Sequence, residues 1–369
     1  AHAALPLFTF CLFPHVQIQP GVPGCGLAEP MKSTAGRLRD KVESFCRHEQ
    51  LFLPGDHLLI ACSGGPDSLT LLDVLASLRR AWNLTLTVCY VHHGIRRAAD
   101  DEVPVVRKAA EERGCGFMWE FVDVPHVAAV THQSLETAGR TERYRILRQC
   151  AARCQASAIA VAHQQNDQAE TVLQHLLRGS GLQGLGGIRP KNGDIIRPLL
   201  ALTRRDIEDY IKERGLVPCE DETNQSREYG RNRIRLELIP QLEKYNPAVI
   251  ADLNRLAVLA GADEEFLSRQ TEQRAASLVQ EDQKGASIEK KALLLQPLAM
   301  QRRLIRYLFS RVLQSFHDVP FHYTETVRQL AAKGAGHCFE GLGLCVYTTK
   351  EQLCFTRAAR GAFKKRQHH

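Results

Sequence analysis

The sequence predicts an α/β protein: a doubly wound parallel sheet followed by a mostly helical second domain with a few short strands. Three observations carry that expectation. From 57 to about 200, apolar runs of strand length alternate with helical patterns, as in a parallel sheet covered on both faces. The first of these runs breaks into Ser63-Gly64-Gly65-Pro66-Asp67-Ser68 before a helical pattern opens, which is the order strand, phosphate loop, helix N-terminus. From about 233 the pattern becomes predominantly helical.

In order along the chain, strands are expected near 57–62, 84–91, 117–122 and 157–162, with helices near 68–81, 99–113, 135–153 and 166–178. The segment GSGLQGLGG at 179–187 reads equally as a hinge or lid and as a plain flexible connection. A short strand at 194–199 precedes a helix from Thr203 to Arg214, stopped by Gly215. A long amphipathic run at 247–280 follows, then helices near 297–314 and 322–333 and short strands near 337–356. The expected division is a sheet domain at 31–235 and a helical domain at 236–358, with a basic tail at 359–369. Residues 1–30 form apolar clusters with Pro/Gly turns and no regular period, so they are expected to be a disordered extension ahead of a helix opening at Met31.

At 369 residues and 44% hydrophobic content the chain can bury a full core, and its formal charge of +7 permits a polyanionic partner without requiring one. Twelve cysteines are scattered, several within apolar runs, and read as reduced thiols of a cytoplasmic protein. No C-x-x-C occurs, and Cys150 and Cys154 sit at helical spacing, which favours core packing over a zinc site. No basic segment precedes the apolar run from Leu5 to Phe13, which argues against a secretory signal. No run reaches the roughly 20 apolar residues that span a membrane.

Gly64 and Gly65 allow the backbone to approach an anion closely, and Ser63 and Ser68 add hydroxyl donors. A Walker loop would carry Lys after the second glycine, and none stands here. Asp67 would repel a bare phosphate, so its presence implies a divalent cation between carboxylate and phosphates. His92 and His93 follow the second expected strand and His163 the fourth, so three separate segments converge at the carboxyl edge of the sheet. The loop resembles that of the N-type ATP pyrophosphatases, the PP-loop enzymes, which split ATP into AMP and pyrophosphate.

Four further groups carry chemistry. Asp167 and Glu170 lie three apart on one helix face and could hold an ammonium group or a cation, or form a solvated acidic face. Arg140 and Arg143 share a face and suit charge developing on a phosphate, or a surface ion-pair helix. His163 reads equally as a general base and as a buried imidazole. Arg231, Arg233 and Arg235 alternate with Asn232 and Ile234, a stripe dense enough for a phosphate backbone or for a solvent-facing helix start.

The blocks HQQNDQAET (163–171) with Arg178-Gly179-Ser180-Gly181-Leu182, Glu136 to Arg140 with Arg143-Tyr144, Val91 to Arg96, and Arg231 to Arg235 resemble the tRNA(Ile)-lysidine synthetase family. The resemblance runs from about Val42 to Pro247, and more loosely to about Thr356. Gln164 and Asn166 stand where family members often carry His and Asp, and Gly139 where they carry Ala. The resemblance implies a ligase that joins free L-lysine to carbon 2 of the wobble cytidine of the tRNA(Ile) with a CAU anticodon. The reaction passes through an adenylated cytidine and releases AMP and pyrophosphate. That modification changes codon reading from AUG to AUA and identity from Met to Ile.

It further implies ATP and Mg2+ as the cofactors, with ATP at Ser63 to Ser68 (Gly64, Gly65, Pro66 and Asp67 between them) and His93, and the metal at Asp67. Asp67, Arg140, His163, Asp167 and Glu170 become the catalytic set. Lysine and tRNA fall to Asp167, Glu170, Arg178, Arg197, Asn224, Arg231, Asn232, Arg233 and Arg235, and a homodimer is left open. Two other readings stand beside it. A cytidine 2-thiolase of the same superfamily would carry the C-x-x-C pairs absent here, and a non-catalytic nucleotide- or RNA-binding module has less need of Asp67.

Overall fold

The computed structural model describes residues 33–95, 99–219, 230–283, 285–313 and 319–357. The expected extension at 1–30, Arg96, Asn224 and the tail at 359–369 lie outside the described residues.

The first unit opens with helix α1 (Thr34–His48), capped by the Ser33 hydroxyl, and continues β1 (His57–Ala61), α2 (Pro66–Trp82), β2 (Thr85–His92), α3 (Ala99–Glu112) and β3 (Gly116–Phe121). It then runs α4 (Val124–Thr131), α5 (Leu135–Cys154), β4 (Ala158–Ala160), α6 (Gln165–Leu177), α7 (Leu182–Leu185), β5 (Lys191–Asn192), β6 (Ile195–Ile196) and α8 (Arg204–Arg214). The strands form one sheet in the order β3-β2-β1-β4-β6-β5, parallel except for the edge strand β5. The doubly wound sheet expected from the alternation is therefore present, and its order reverses between β1 and β4. At that switch point the carboxyl ends of two strands open a crevice.

β1 is the central strand because its sequence HLLIA is apolar on both faces, and Leu58, Leu59 and Ile60 are fully buried. Packing α1, α2 and α8 on one face and α4 and α5 on the other separates two cores, one holding Leu58 and Ile60 and the other Leu59 and Ile159. Each such side chain contributes about 1.5–3 kcal/mol by leaving water. The strand expected at 194–199 shortens to Ile195–Ile196, because Pro198 lacks the N–H a ladder needs and instead starts a tight 3-10 turn. Helix α4 is absent from the pattern read above, since VPHVAAVT is rich in β-branched residues; Asp123 caps it through the His126 amide.

After α8 the chain returns to the sheet unit. Helix α9 (Gly230–Arg233), a π turn at Ile234–Leu238 and helix α10 (Ile239–Tyr245) bring Ile234 and Ile239 against Ala169 and Leu173 of α6. The long helix α11 (Val249–Leu278) then packs along α6 and α7. Residues 179–187, expected as a hinge or lid or as a plain flexible connection, include the short helix α7, which lies against α11 and α6. Gln168 clamps Ile188 through both its amide groups, and His175 Nδ1 meets the Gly184 carbonyl at 2.6 Å.

A second core begins only at Ala275. It lies between α11, α12 (Lys290–Leu294), α13 (Leu298–Leu313) and α14 (Phe321–Ala331) on one side and an antiparallel sheet on the other. That sheet comprises β7 (Val279–Asp282), β8 (Gly285–Glu289), β9 (Cys338–Gly341), β10 (Leu344–Thr348) and β11 (Gln352–Arg357), in the order β7-β8-β11-β10-β9. Phe309 and Phe355 meet edge to face at its centre. The hairpin β7–β8 adds to the strands expected from the sequence. The ten described cysteines are free thiols. Among the described residues no helix is long and apolar enough to cross a membrane.

Candidate active site

The loop after β1 is built to leave donors open. Gly64 adopts φ +82°, and a Cβ there would meet Cys219 Sγ at 2.8 Å and Val106 Cγ2 at 3.2 Å, so only glycine fits. The Cys219 amide donates to the Gly64 carbonyl at 3.0 Å and fixes the turn. Ser68 Oγ donates to the Gly65 carbonyl and accepts from the Ser63 amide. Helix α2 starts with Pro66 in its first turn and no side-chain cap, which leaves the amides at Asp67 and Ser68 facing the crevice mouth. Asp67 has no hydrogen-bonding partner among the described residues, and burial, then the neighbouring Asp167, push its carboxyl up to about 6. Arg204 and Arg235 oppose that rise, so both stand near the loop.

Across the crevice, α6 starts from β4 with a capping box. Gln164 Oε1 accepts from the Asn166 amide at 2.8 Å, and Asp167 Oδ2 accepts from the Gln164 amide at 2.9 Å. Asn166 Oδ1 in turn accepts from the Arg204 amide. The two residues that depart from the family pattern therefore serve here as caps that join α6 to α8.

The carboxylate pair does hold a cation, and that cation belongs to the chain. Arg231 donates from Nη2 to Asp167 Oδ1 at 2.9 Å and from Nε to Glu170 Oε2 at 2.8 Å. Burial works against its charge, but Asp167 and Glu170 outweigh that and raise its pKa. Glu170 is almost fully buried, and burial raises its carboxyl against the pull of Arg231.

The expected stripe of Arg231, Arg233 and Arg235 needs correction. An alternating pattern puts all three on one face only in a strand, whereas here the segment is α9 and a π turn, in which the Ile239 amide reaches the Ile234 carbonyl. Arg231 and Arg235 turn toward the carboxylates, and Arg233 points out, 68% exposed, toward Glu237. Asn232 is half-buried between them.

On the sheet side of the crevice, Arg140 and Arg143 of α5 both stack on Tyr144, at 5.2 and 5.4 Å from its ring centre. Arg197 is buried rather than presented to a partner. It donates from Nη1 to the Arg189 carbonyl at 2.7 Å and from Nε to His163 Nδ1 at 3.3 Å. His163 is held well below its ordinary pKa by burial and by Arg197, Arg231, Arg143 and Arg140. His93 follows β2, with its carbonyl bound by the Val124 amide.

Arg178 does not join the cluster. It is exposed at the C-terminal end of α6, about 16 Å of helix rise away from Asp167. Arg204 was missed by sequence reasoning, although the capping box of Thr203 and Asp206 marks its place at a helix start beside the sheet edge. Among the described residues no group of three His, Cys, Asp or Glu side chains could hold a metal ion. The donor set instead suits a cation bound mainly by substrate phosphates, for which a single carboxylate suffices, and Asp67 is the carboxylate at the loop.

A doubly wound sheet with an uncapped glycine loop after β1 and a cationic crevice beside β4 defines a nucleotide-handling PP-loop fold. The PP-loop domain family matches residues 36–242, and the chain belongs to it. It is similar to the tRNA(Ile)-lysidine synthase of Dehalococcoides mccartyi (strain CBDB1), 36% identical over 309 residues, covering 81% of this chain and 66% of that protein. The enzyme of the same name from Geobacter sulfurreducens is 37% identical over 294 residues, covering 79% of this chain and 62% of its own length. The chain thus spans less than two thirds of the curated relatives it matches. The U34-tRNA thiolase NcsA from Methanococcus maripaludis, solved with its [4Fe-4S] cluster, shares the fold with a TM-score of 0.53 at 19% identity, over 62% of this chain and 80% of that one.

Proposed function

We propose that this chain forms lysidine: it joins free L-lysine to carbon 2 of the wobble cytidine of the tRNA(Ile) with a CAU anticodon, consuming ATP to AMP and pyrophosphate. The observation that carries the reading is one crevice in which an open phosphate loop faces a carboxylate pair already able to bind a cationic nitrogen, in a chain similar to tRNA(Ile)-lysidine synthases.

The loop amides and Ser63 and Ser68 would receive the triphosphate of ATP, with His93 beside them. Mg2+ bound to those phosphates would be held by Asp67 and would neutralise charge on the leaving pyrophosphate. Arg140 and Arg143 would meet the α-phosphate as the O2 oxygen of cytidine attacks it. The bond from the α-phosphorus to the pyrophosphate breaks, and carbon 2 gains AMP as a good leaving group. The neutral ε-amine of lysine then attacks carbon 2, the bond from carbon 2 to O2 breaks as AMP departs with that oxygen, and the proton on the new nitrogen substituent passes to water.

Asp167 and Glu170 would select lysine by its α-ammonium group, which takes over the place of the Arg231 guanidinium at no change in net charge. Arg178, Asn232, Arg233 and Arg235, together with Asn224, would contact tRNA phosphates, which contribute affinity but little sequence specificity.

Pyrophosphate release measured with and without lysine and a CAU-anticodon tRNA(Ile) transcript tests this. Release that depends on tRNA, with lysine required for the lysidine product, is the expected result. Modification that proceeds without lysine but needs a sulfur donor would indicate a thiolase. Absence of any release would leave a binding module.

A further inference from the structure

The pairing of His163 with Arg197 decides which chemistry the imidazole can perform. We propose that Arg197 is a positioning residue that holds His163 as the neutral Nε2–H tautomer, so that His163 acts on the substrate as a hydrogen-bond donor and not as a general base.

The geometry leaves little choice. A guanidinium has five N–H donors and no acceptor, so the contact from Arg197 Nε to His163 Nδ1 at 3.3 Å requires a lone pair on Nδ1. The ring proton of a neutral imidazole must then sit on Nε2. Arg197 is itself fixed, 6% exposed and anchored through Nη1 to the Arg189 carbonyl, so the ring cannot readily exchange this partner.

Doubly protonated imidazolium is opposed from every side. Arg197 approaches from the segment after β6, Arg140 and Arg143 from α5, and Arg231 from α9, all adding to the effect of burial. The carboxylates nearest to that arginine group, Asp167 and Glu170 of α6, are both engaged by Arg231. No hydrogen-bonding partner of Nε2 is found among the described residues, which leaves its N–H for a ligand. A neutral imidazole donor beside arginines suits an oxygen on which negative charge grows, because it donates without having to gain or lose a proton. The substrate role rests on the lysidine reading, with the phosphoryl or AMP oxygens as the acceptors, whereas the tautomer does not depend on it.

The decisive measurement is nitrogen-15 NMR of the whole histidine-labelled chain without substrates, with the His163 signal assigned by its loss in His163→Gln. A single Nε2–H form that is still neutral at and below the ordinary imidazole value of about 6.5 is expected. In Arg197→Gln the same ring should become a tautomer mixture and titrate nearer the ordinary value of about 6.5, and Arg197→Lys should restore part of the wild-type behaviour. An Nδ1–H form, or a wild-type ring that titrates near that value, would overturn the proposal.

The activity arm uses pyrophosphate release. His163→Gln keeps a donor near Nε2 and should retain far more activity than His163→Leu, whose kcat should fall about 10²–10³-fold. Equal losses in the two variants would mean that donation is not the role. A wild-type chain with the expected tautomer but no lysine-dependent product would overturn the lysidine reading alone.

Discussion

Asp67 and Asp73 stand six residues apart on the same helix, and the fold treats them in opposite ways. Asp73, 5% exposed, receives Arg113 Nε at 2.8 Å, Tyr210 Oη at 2.7 Å and Arg214 Nε at 2.9 Å. Burial works against its charge, but Arg214, Tyr210 and Arg113 outweigh it and lower its pKa. Asp67, at the start of the helix, is raised to about 6 by burial and by Asp167. The middle of α2 thus uses a carboxylate to bind α3 and α8 to the sheet unit, while its N-terminus keeps one charged at a cost in stability. Under the proposed function that carboxylate is the one that holds the metal, and a raised carboxylate in a crevice is the pattern expected of a functional group.

The largest effect should come from breaking the satisfied site. Asp73→Ala leaves two guanidinium groups and a phenol without their shared acceptor and should cost about 3–5 kcal/mol in urea unfolding; a loss below about 1 kcal/mol would reduce the cluster to surface decoration. Its pH signature follows the same sign. The lowered pKa contributes stability that is complete above the unfolded value of about 3.9 and is lost as pH falls through the folded value.

Asp67 should behave in reverse. The folded state holds its proton more tightly than the unfolded chain does, so its cost is absent at low pH, grows as pH rises from about 4 to about 6, and is complete above that. In metal-free protein Asp67→Asn should therefore be more stable than wild type by about 1–3 kcal/mol near pH 8, with the gain vanishing near pH 4. A variant less stable at the higher pH would show that Asp67 has a structural partner.

The same contrast separates two arginines of one short segment. Arg231→Gln strips Asp167 and Glu170 of their donor and should cost about 1–3 kcal/mol. Arg233→Gln should change stability by less than about 0.5 kcal/mol, yet flatten the slope of log tRNA affinity against log salt by roughly 0.7–0.9. An unchanged slope would remove Arg233 from the RNA interface.

What could be read ahead of the structure followed from local pattern. The four long-spaced strands, the loop at Ser63 to Ser68 and the helix carrying Asp167 and Glu170 are set by apolar period and by glycine, and all are present. The hairpin β7–β8 escaped because the alternation of β8 spans only Ala286 and Ile288, and helix α4 because VPHVAAVT is rich in β-branched residues. The burial of Arg197 against His163 and the capture of Asp167 and Glu170 by Arg231 depend on contacts between segments 34 and more than 60 residues apart. Spacing within one helix cannot specify those. The alternation of Arg231, Arg233 and Arg235 misleads because its meaning reverses between strand and helix.

Under the proposed function α2 bears one aspartate for folding and one for chemistry, a division tested by pyrophosphate release by Asp67→Asn at saturating ATP, lysine, magnesium and CAU-anticodon tRNA(Ile). The substitution removes charge but almost no volume, so the variant should keep native cooperative unfolding while turnover falls about 10²–10³-fold. Turnover close to wild type under those conditions would contradict the claim and return Asp67 to the role of an ordinary helix-start carboxylate.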